Sequence, residues 1–303
     1  MKSLVLGAGG FLGKNLCLYL SSKGVSVRAF DLSEMQDLRN HEGIECVQGD
    51  FLMLDTMPEL FDGVDRVYHL ICTTVPKVGT KQIPKELELN LIPLTNLLEI
   101  LIERNIDKFV FVSSAGTIYG NTDVHNRTDQ QAAPISSYGA LKEVSESYIN
   151  LYNRIYNKKY RIARLSNPYG TGQGEYKMQG IIPIYINHLI SNKSITVFGD
   201  GDNVRDYIYI DDAIRALDIL GDYAGDTTTF NIGSGNGYSI NEIIEMIERT
   251  SGRKFVEIDR TDRRACDVGH NELDITDSIQ KLDWNPQISL EEGIDLTYRR
   301  LIK

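Results

Sequence analysis

A glycine cluster near the start of the chain constrains the fold more than any other segment. Leu4-Val5-Leu6 reads as a short strand, Gly7-Ala8-Gly9-Gly10-Phe11-Leu12-Gly13 as a turn, and Phe11 to about Lys23 as a helix. Val25 to Phe30 is the next strand and ends in Asp31. Glycines at such a turn let the backbone bend tightly and approach a pyrophosphate, whose charge is favoured at a helix N-terminus. The spacing is G-x-x-G-x-x-G at Gly7, Gly10 and Gly13; G-x-G-x-x-G would require glycine in place of Leu12. Alone, such a loop also reads as a plain tight turn. Asp31, 18 residues after Gly13, changes the reading. An acid at that strand end accepts hydrogen bonds from ribose hydroxyls and repels a 2′-phosphate. Strand, loop, helix, strand and acid in this order predict a dinucleotide site that takes NAD in preference to NADP.

Further strands are expected at Gly43 to Val47, Arg66 to Ile71 and Lys108 to Ser113. Glu86 to Asn105 carries Leu87, Leu91, Leu94, Leu97, Leu98 and Leu101 at helical spacing. A helix from Ser145 to Lys159 and a strand from Tyr160 to Leu165 follow. Strands alternating with helices imply a parallel sheet covered on both faces. After Asn167 the rhythm changes, with Pro168, Gly170, Gly172 and Gly174 marking a loop. The expected fold is α/β, a Rossmann-type doubly wound parallel sheet with a smaller mixed α/β substrate-binding lobe. The lobes are expected at 1–167 and 168–303 with interleaved segments and the active site at their junction.

A chain of 303 residues suits two such lobes. With 32 basic against 42 acidic residues the formal charge is −10, which argues against nucleic acid as a partner. Cys17, Cys46, Cys72 and Cys266 lie far apart, so neither a metal site nor a disulfide framework is expected. No signal peptide is recognisable, and no apolar run approaches the ~20 residues that span a bilayer. The expectation is a soluble, cytoplasmic protein with no membrane partner.

Tyr138 and Lys142 stand four apart, on one face of a helix. A cation beside a phenol favours the phenolate, so the pair can exchange a proton with a substrate hydroxyl while hydride moves to or from a nicotinamide. Composition alone yields roughly one such spacing by chance. A second match, Tyr19 and Lys23, falls at the far end of the first helix and reads as a surface pair. Tyr138 is preferred because it follows Ser113-Ser114-Ala115-Gly116-Thr117-Ile118-Tyr119-Gly120.

With these motifs on view, the chain resembles the extended short-chain dehydrogenases/reductases, in particular nucleotide-sugar 4-epimerases acting on UDP-glucose and UDP-galactose. The resemblance runs from the glycine loop and Asp31 through His69-Leu70, Asn90 and Tyr138/Lys142 to Arg164-Leu165-Ser166-Asn167-Pro168-Tyr169-Gly170. It continues through Val197 to Gly201, Arg205 to Asp212, Arg264 to Val268 and Leu282-Asp283-Trp284-Asn285-Pro286. It implies that Gly7, Gly10, Phe11, Leu12, Gly13, Asp31, Asp50, Phe51, Leu70, Asn90, Ser113, Tyr138, Lys142 and Pro168 bind NAD. For Asp50 and Phe51 a surface turn is the plainer reading. It further implies that Asn167, Thr196, Phe198, Arg205, Arg264 and Asp267 hold a UDP-sugar, with the two arginines clamping the diphosphate. Read alone, Arg205 would instead pair with Asp206 or Asp202.

Relatives usually carry Ser or Thr four residues before Tyr119, where this chain has Ala115. Ser114 or Thr117 is expected to supply that hydroxyl, with water as the alternative. Gly116-Thr117 replaces the acid pair of the dehydratases, so elimination is disfavoured. Asn271, four after Asp267, is smaller than the tyrosine of members restricted to unsubstituted sugars and leaves room for an N-acetyl group. Alternatives to 4-epimerisation are a 4-keto-sugar reductase and a non-catalytic dinucleotide-binding regulator. Pairing through the helices at Glu86 to Asn105 and Glu143 to Asn157 implies a homodimer, although their stripes also suit an ordinary core.

Overall fold

The structure is a computed structural model and describes residues 1–73, 82–122, 125–173, 180–263 and 267–302. Strands β1 (Lys2–Leu6), β2 (Ser26–Asp31), β3 (Ile44–Gln48), β4 (Arg66–His69), β5 (Lys108–Ser114) and β6 (Arg161–Leu165) come first. After them come β7 (Asn167–Tyr169), β8 (Ile195–Phe198), β9 (Val204–Tyr209), β10 (Thr229–Ile232), β11 (Gly237–Ser239), β12 (Ile258–Thr261) and β13 (His270–Asn271). The chain divides into two compact units built from alternating segments. Met1–Ser114, Ser136–Arg164 and Ile214–Phe230 form the first; Ala115–Ile135, Leu165–Ala213 and Asn231–Lys303 form the second.

The first unit holds a seven-stranded sheet ordered β10-β6-β5-β4-β1-β2-β3. The β1–β2, β2–β3, β1–β4 and β4–β5 pairs are parallel. The order 3-2-1-4-5-6 within it is the doubly wound arrangement, in which ligands sit beyond the carboxyl ends of the strands where the order reverses. Leu4, Leu6, Phe30, Val67, Leu97, Leu98, Phe109 and Ile162 are among the buried residues of its core. The near-continuous apolar runs of these strands follow from helices covering both faces.

Two helices depart from the sequence reading. The helical stretch expected at Tyr138 to Lys142 and the helix expected from Ser145 prove to be one element, Ser137–Tyr156, with Tyr138 and Lys142 on its first two turns. Its early start is set by Ser136, whose hydroxyl accepts from the Gly139 N–H at 3.1 Å. The helix ends at Asn157, in the left-handed conformation, before Lys159. Between Ile83 and Glu103 the second helix is interrupted by a π turn at Leu87–Leu91. The interruption coincides with Pro93, which has no N–H to give the Leu89 carbonyl.

The second unit has smaller sheets. Strand β9 pairs antiparallel with β11 and parallel with β7 and β13, and β8 pairs parallel with β12. The Trp284 indole donates to the Asp212 carbonyl at 3.2 Å, anchoring the segment that follows Leu282. Cys17, Cys46 and Cys72 are not disulfide-bonded, and Cys266 lies outside the described residues.

Candidate active site

In the first unit the glycine loop leaves the end of β1 with Gly7 at φ 92°, a conformation that disfavours any side chain. The Gly7 and Ala8 N–H groups donate to the Phe30 carbonyl, so the loop is tied to β2. A Cβ at Gly13 would stand 2.1 Å from the Gly7 carbonyl oxygen, so only glycine lets the helix approach this closely. Gly10 caps the helix without a side-chain hydrogen bond, and the first turn holds no acid. Its backbone N–H groups are therefore available to an anion. Asp31 accepts from Gly9 N–H at 2.9 Å through one oxygen and from Ser33 through the other. A cradle stripped of side chains, an uncapped helix N-terminus and an acid at the end of β2 fit a dinucleotide pyrophosphate and its ribose.

The expected cofactor residues near it divide by environment. Asp50 accepts from Leu52 N–H, while the Phe51 ring turns into the core and meets the His69 ring edge-on at 4.9 Å. Leu70 follows β4 and donates to the Leu6 carbonyl. Asn90, on the π turn, bonds both the N–H and the hydroxyl of Thr73. The adjoining residues from Thr74 to Lys81 lie outside the described residues.

Tyr138 and Lys142 face the carboxyl end of β5. The Lys142 ammonium is buried, donates to the Val112 carbonyl at 2.8 Å, and lies 5.8 Å from the centre of the Tyr138 ring. Ser114 is hydrogen-bonded to the Tyr138 phenol. Protein packed around the phenol pushes its ionisation well above the ordinary tyrosine value; the Cys72 thiol adds to this and Ser114 opposes it. The sequence reading expected Lys142 to lower it, but desolvation dominates. Cys72 escaped the sequence reading because only the return of β4 towards the helix brings it here. Tyr19 and Lys23 prove to be a different kind of pair, with Lys23 bound to Asp218 at 2.5 Å.

His69, at the end of β4, is buried among Phe51, Phe109 and Phe111, and among the described residues neither ring nitrogen has a hydrogen-bond partner. Burial, reinforced by the Lys142 charge, pushes its pKa down to about 3 from 6.5. The unfolded chain therefore binds a proton that the folded chain refuses. Stability from this source is complete above pH 6.5 and drains away as the pH falls towards 3. Between pH 7 and pH 5 the loss is about 2 kcal/mol. His69→Phe is expected to remove about that much of the acid sensitivity in urea unfolding at the two pH values. Identical pH dependence in the two proteins would mean that His69 protonates freely in the fold.

In the second unit, Asn167 donates its amide to the Asp206 carbonyl at 2.8 Å. Pro168 follows it on β7. The buried Asp206 carboxylate accepts from Ser234 N–H and Gly235 N–H, each at 2.8 Å, and Asp202 accepts from Asn241. Arg205, half-buried on β9, donates to the Val204 carbonyl. Thr196 and Phe198 sit on the exposed side of β8. Asp267 is half-buried. Arg264, the other expected clamp, lies outside the described residues. Asn271 is fully buried, its amide donating to the Ala115 carbonyl at 3.0 Å. Thr117 belongs to the short helix Ala115–Ile118 of this unit.

A sequence profile of the NAD dependent epimerase/dehydratase family matches residues 3–233. The chain belongs to that family. A dTDP-4-dehydro-6-deoxyglucose reductase of Escherichia coli is 32% identical over 300 residues, covering 96% of this chain and 95% of that one. A UDP-glucose 4-epimerase of Mycolicibacterium smegmatis is 29% identical over 305 residues, covering 98% and 97%. The crystal structure of UDP-glucose 4-epimerase from Thermotoga maritima with UDP-glucose matches with a TM-score of 0.92 at 30% identity, covering 100% of this chain and 99% of that one. The protein is an NAD-dependent enzyme of the extended short-chain dehydrogenase/reductase type, and NAD is its cofactor. Among the described residues no helix is long and apolar enough to cross a membrane.

Proposed function

We propose that this enzyme inverts C4 of a UDP-sugar, interconverting UDP-glucose and UDP-galactose and admitting their N-acetyl forms. The observation that carries the reading is Tyr138 and Lys142 one turn apart, with the Ser114 hydroxyl on the phenol. When bound, NAD supplies the oxidation of C4 and its reversal. Tyr138, acting as the phenolate that Lys142 favours, takes the proton of the C4 hydroxyl and, as the phenol, returns it after the 4-keto sugar has presented its other face. Ser114 orients the phenol, and Lys142 holds the nicotinamide ribose and favours loss of the phenol proton. Asp31 takes the adenosine ribose. Asn167, Arg205 and Arg264 hold the diphosphate, Thr196 and Phe198 the uracil, and Asp267 the ribose of the sugar nucleotide. Two guanidiniums suit a diphosphate because each can bond its oxygens in pairs.

A 4-keto-sugar reductase is the second reading, supported by the 32% identity to the Escherichia coli reductase. Cofactor balance separates the two. An epimerase leaves bound NAD oxidised as it began, whereas a reductase consumes one reduced cofactor per product. Purified protein would be given each UDP-sugar of the two pairs, and separately a nucleotide-linked 4-keto-6-deoxy sugar with NADH. Interconversion without net NADH change is expected; NADH consumption with no interconversion would replace the first reading by the second.

A second copy of this chain is the proposed partner, as a homodimer. Ile92, Tyr148, Leu151 and Ile155 are exposed apolar side chains on two helices of the first unit, with Ile155 62% exposed. Sedimentation at micromolar concentration is expected to give twice the 34.1 kDa chain mass. A single-chain mass would refute the pairing.

A further inference from the structure

Three successive residues at the end of β5 each engage a different turn of the Ser137–Tyr156 helix. The Val112 carbonyl accepts from Lys142 at 2.8 Å, and the Ser113 hydroxyl donates to Glu146 Oε1 at 2.5 Å. Ser114 is bonded to Tyr138. On the helix these partners are spaced four apart, at 138, 142 and 146, so they form one stripe along its sheet-facing side. From β6, Arg164 grips the far end of the stripe. Its Nε lies 3.0 Å from Glu146 Oε2 and its Nη2 lies 2.8 Å from the same oxygen. Ser113, Lys142, Glu146 and Arg164 are all buried.

A buried carboxylate is costly to desolvate, and an apolar side chain would fill the same space at least as stably. What the ion pair provides that an apolar contact does not is direction. Two guanidinium N–H groups converge on one carboxylate oxygen while the Ser113 hydroxyl holds the other, which restricts the placement of the carboxylate and so the axial register of the helix that carries it. Displacing a reacting group by about 1 Å can cost 10²-fold in rate, so register at Glu146 bears directly on Tyr138.

We infer that Glu146 is a positioning residue, which, held by Arg164 and Ser113, sets the register of Tyr138 and Lys142 against β5. It touches neither substrate nor cofactor and acts through the helix. The kinetic part of this inference rests on the epimerase reading; the geometric part does not.

Glu146→Gln keeps the volume and an acceptor for Ser113 but removes the charge facing Arg164. Arg164→Lys keeps the charge and loses the two-pronged grip. Steady-state kinetics on UDP-galactose are expected to show kcat lowered about 30-fold in Glu146→Gln and about 10-fold in Arg164→Lys. KM and the content of bound NAD should change by less than about twofold in both. A ¹⁹F spectrum with 3-fluorotyrosine placed at position 138 should show the resonance moved or broadened in each variant. Unchanged kcat with an unmoved resonance would overturn the inference. So would kcat, KM and NAD content declining together in step with melting temperature, which is the pattern of simple destabilisation. Should Glu146→Gln not fold, Arg164→Lys carries the test. Should wild-type protein convert no UDP-sugar, the epimerase reading fails alone, and the fluorine resonance still decides the positioning role.

Discussion

Tyr138→Phe is expected to lower turnover by about 10³-fold while NAD stays bound and the fold is unchanged. The substitution removes one oxygen. The ring, its helix and the Lys142 contact with the Val112 carbonyl all persist. What disappears is the single group that carries the proton to and from the sugar oxygen. Initial rates on UDP-glucose and UDP-galactose, absorbance of cofactor released on denaturation, and a melting curve together check the result. Retained turnover would displace Tyr138 as the acid/base; loss of turnover together with loss of NAD would make it a binding residue instead. The same assay separates the two candidate hydroxyls. Ser114→Ala should cost about tenfold, because Ser114 is bonded to the phenol and opposes its raised pKa. Thr117→Val should change the rate little by comparison.

Gly13→Ala is expected to destabilise the cofactor-free protein by about 3 kcal/mol and to abolish tight NAD binding. Two effects oppose each other. Alanine inside a helix is worth about 1 kcal/mol over glycine. Against this, the new Cβ would stand 2.1 Å from the Gly7 carbonyl oxygen and 2.7 Å from Ala8 Cα. Both are backbone atoms of the phosphate loop, so no side-chain rotation relieves the overlap. The helix must withdraw or the loop must deform, and either change spoils the N–H array offered to the pyrophosphate. Urea unfolding of cofactor-free protein measures the first effect and retained NAD after gel filtration the second. A variant as stable as wild type that keeps its NAD would show that the helix has room to move.

Much of this was legible from residue order. The loop at Gly7, Gly10 and Gly13, the acid at Asp31 and the alternation of strands and helices announce a doubly wound sheet because each is a local requirement. A tight turn needs glycine, a strand buried on both faces needs a continuous apolar run, and ribose recognition needs an acid one strand further on. The Ser137–Tyr156 helix was legible only in pieces, at Tyr138 to Lys142 and from Ser145, and the structure joins them behind the Ser136 cap. Residue order determined the fold class, the cofactor and the Tyr138/Lys142 pair.

Tertiary structure decided what depends on contacts distant in sequence. Ser114 meets the Tyr138 phenol, Glu146 is gripped by Arg164 from the neighbouring strand, and His69 lies neutral among three phenylalanines. The direction of the Tyr138 pKa belongs here too. A lysine four residues away is visible in the chain, whereas the burial that outweighs it exists only once helix and sheet have closed around the phenol.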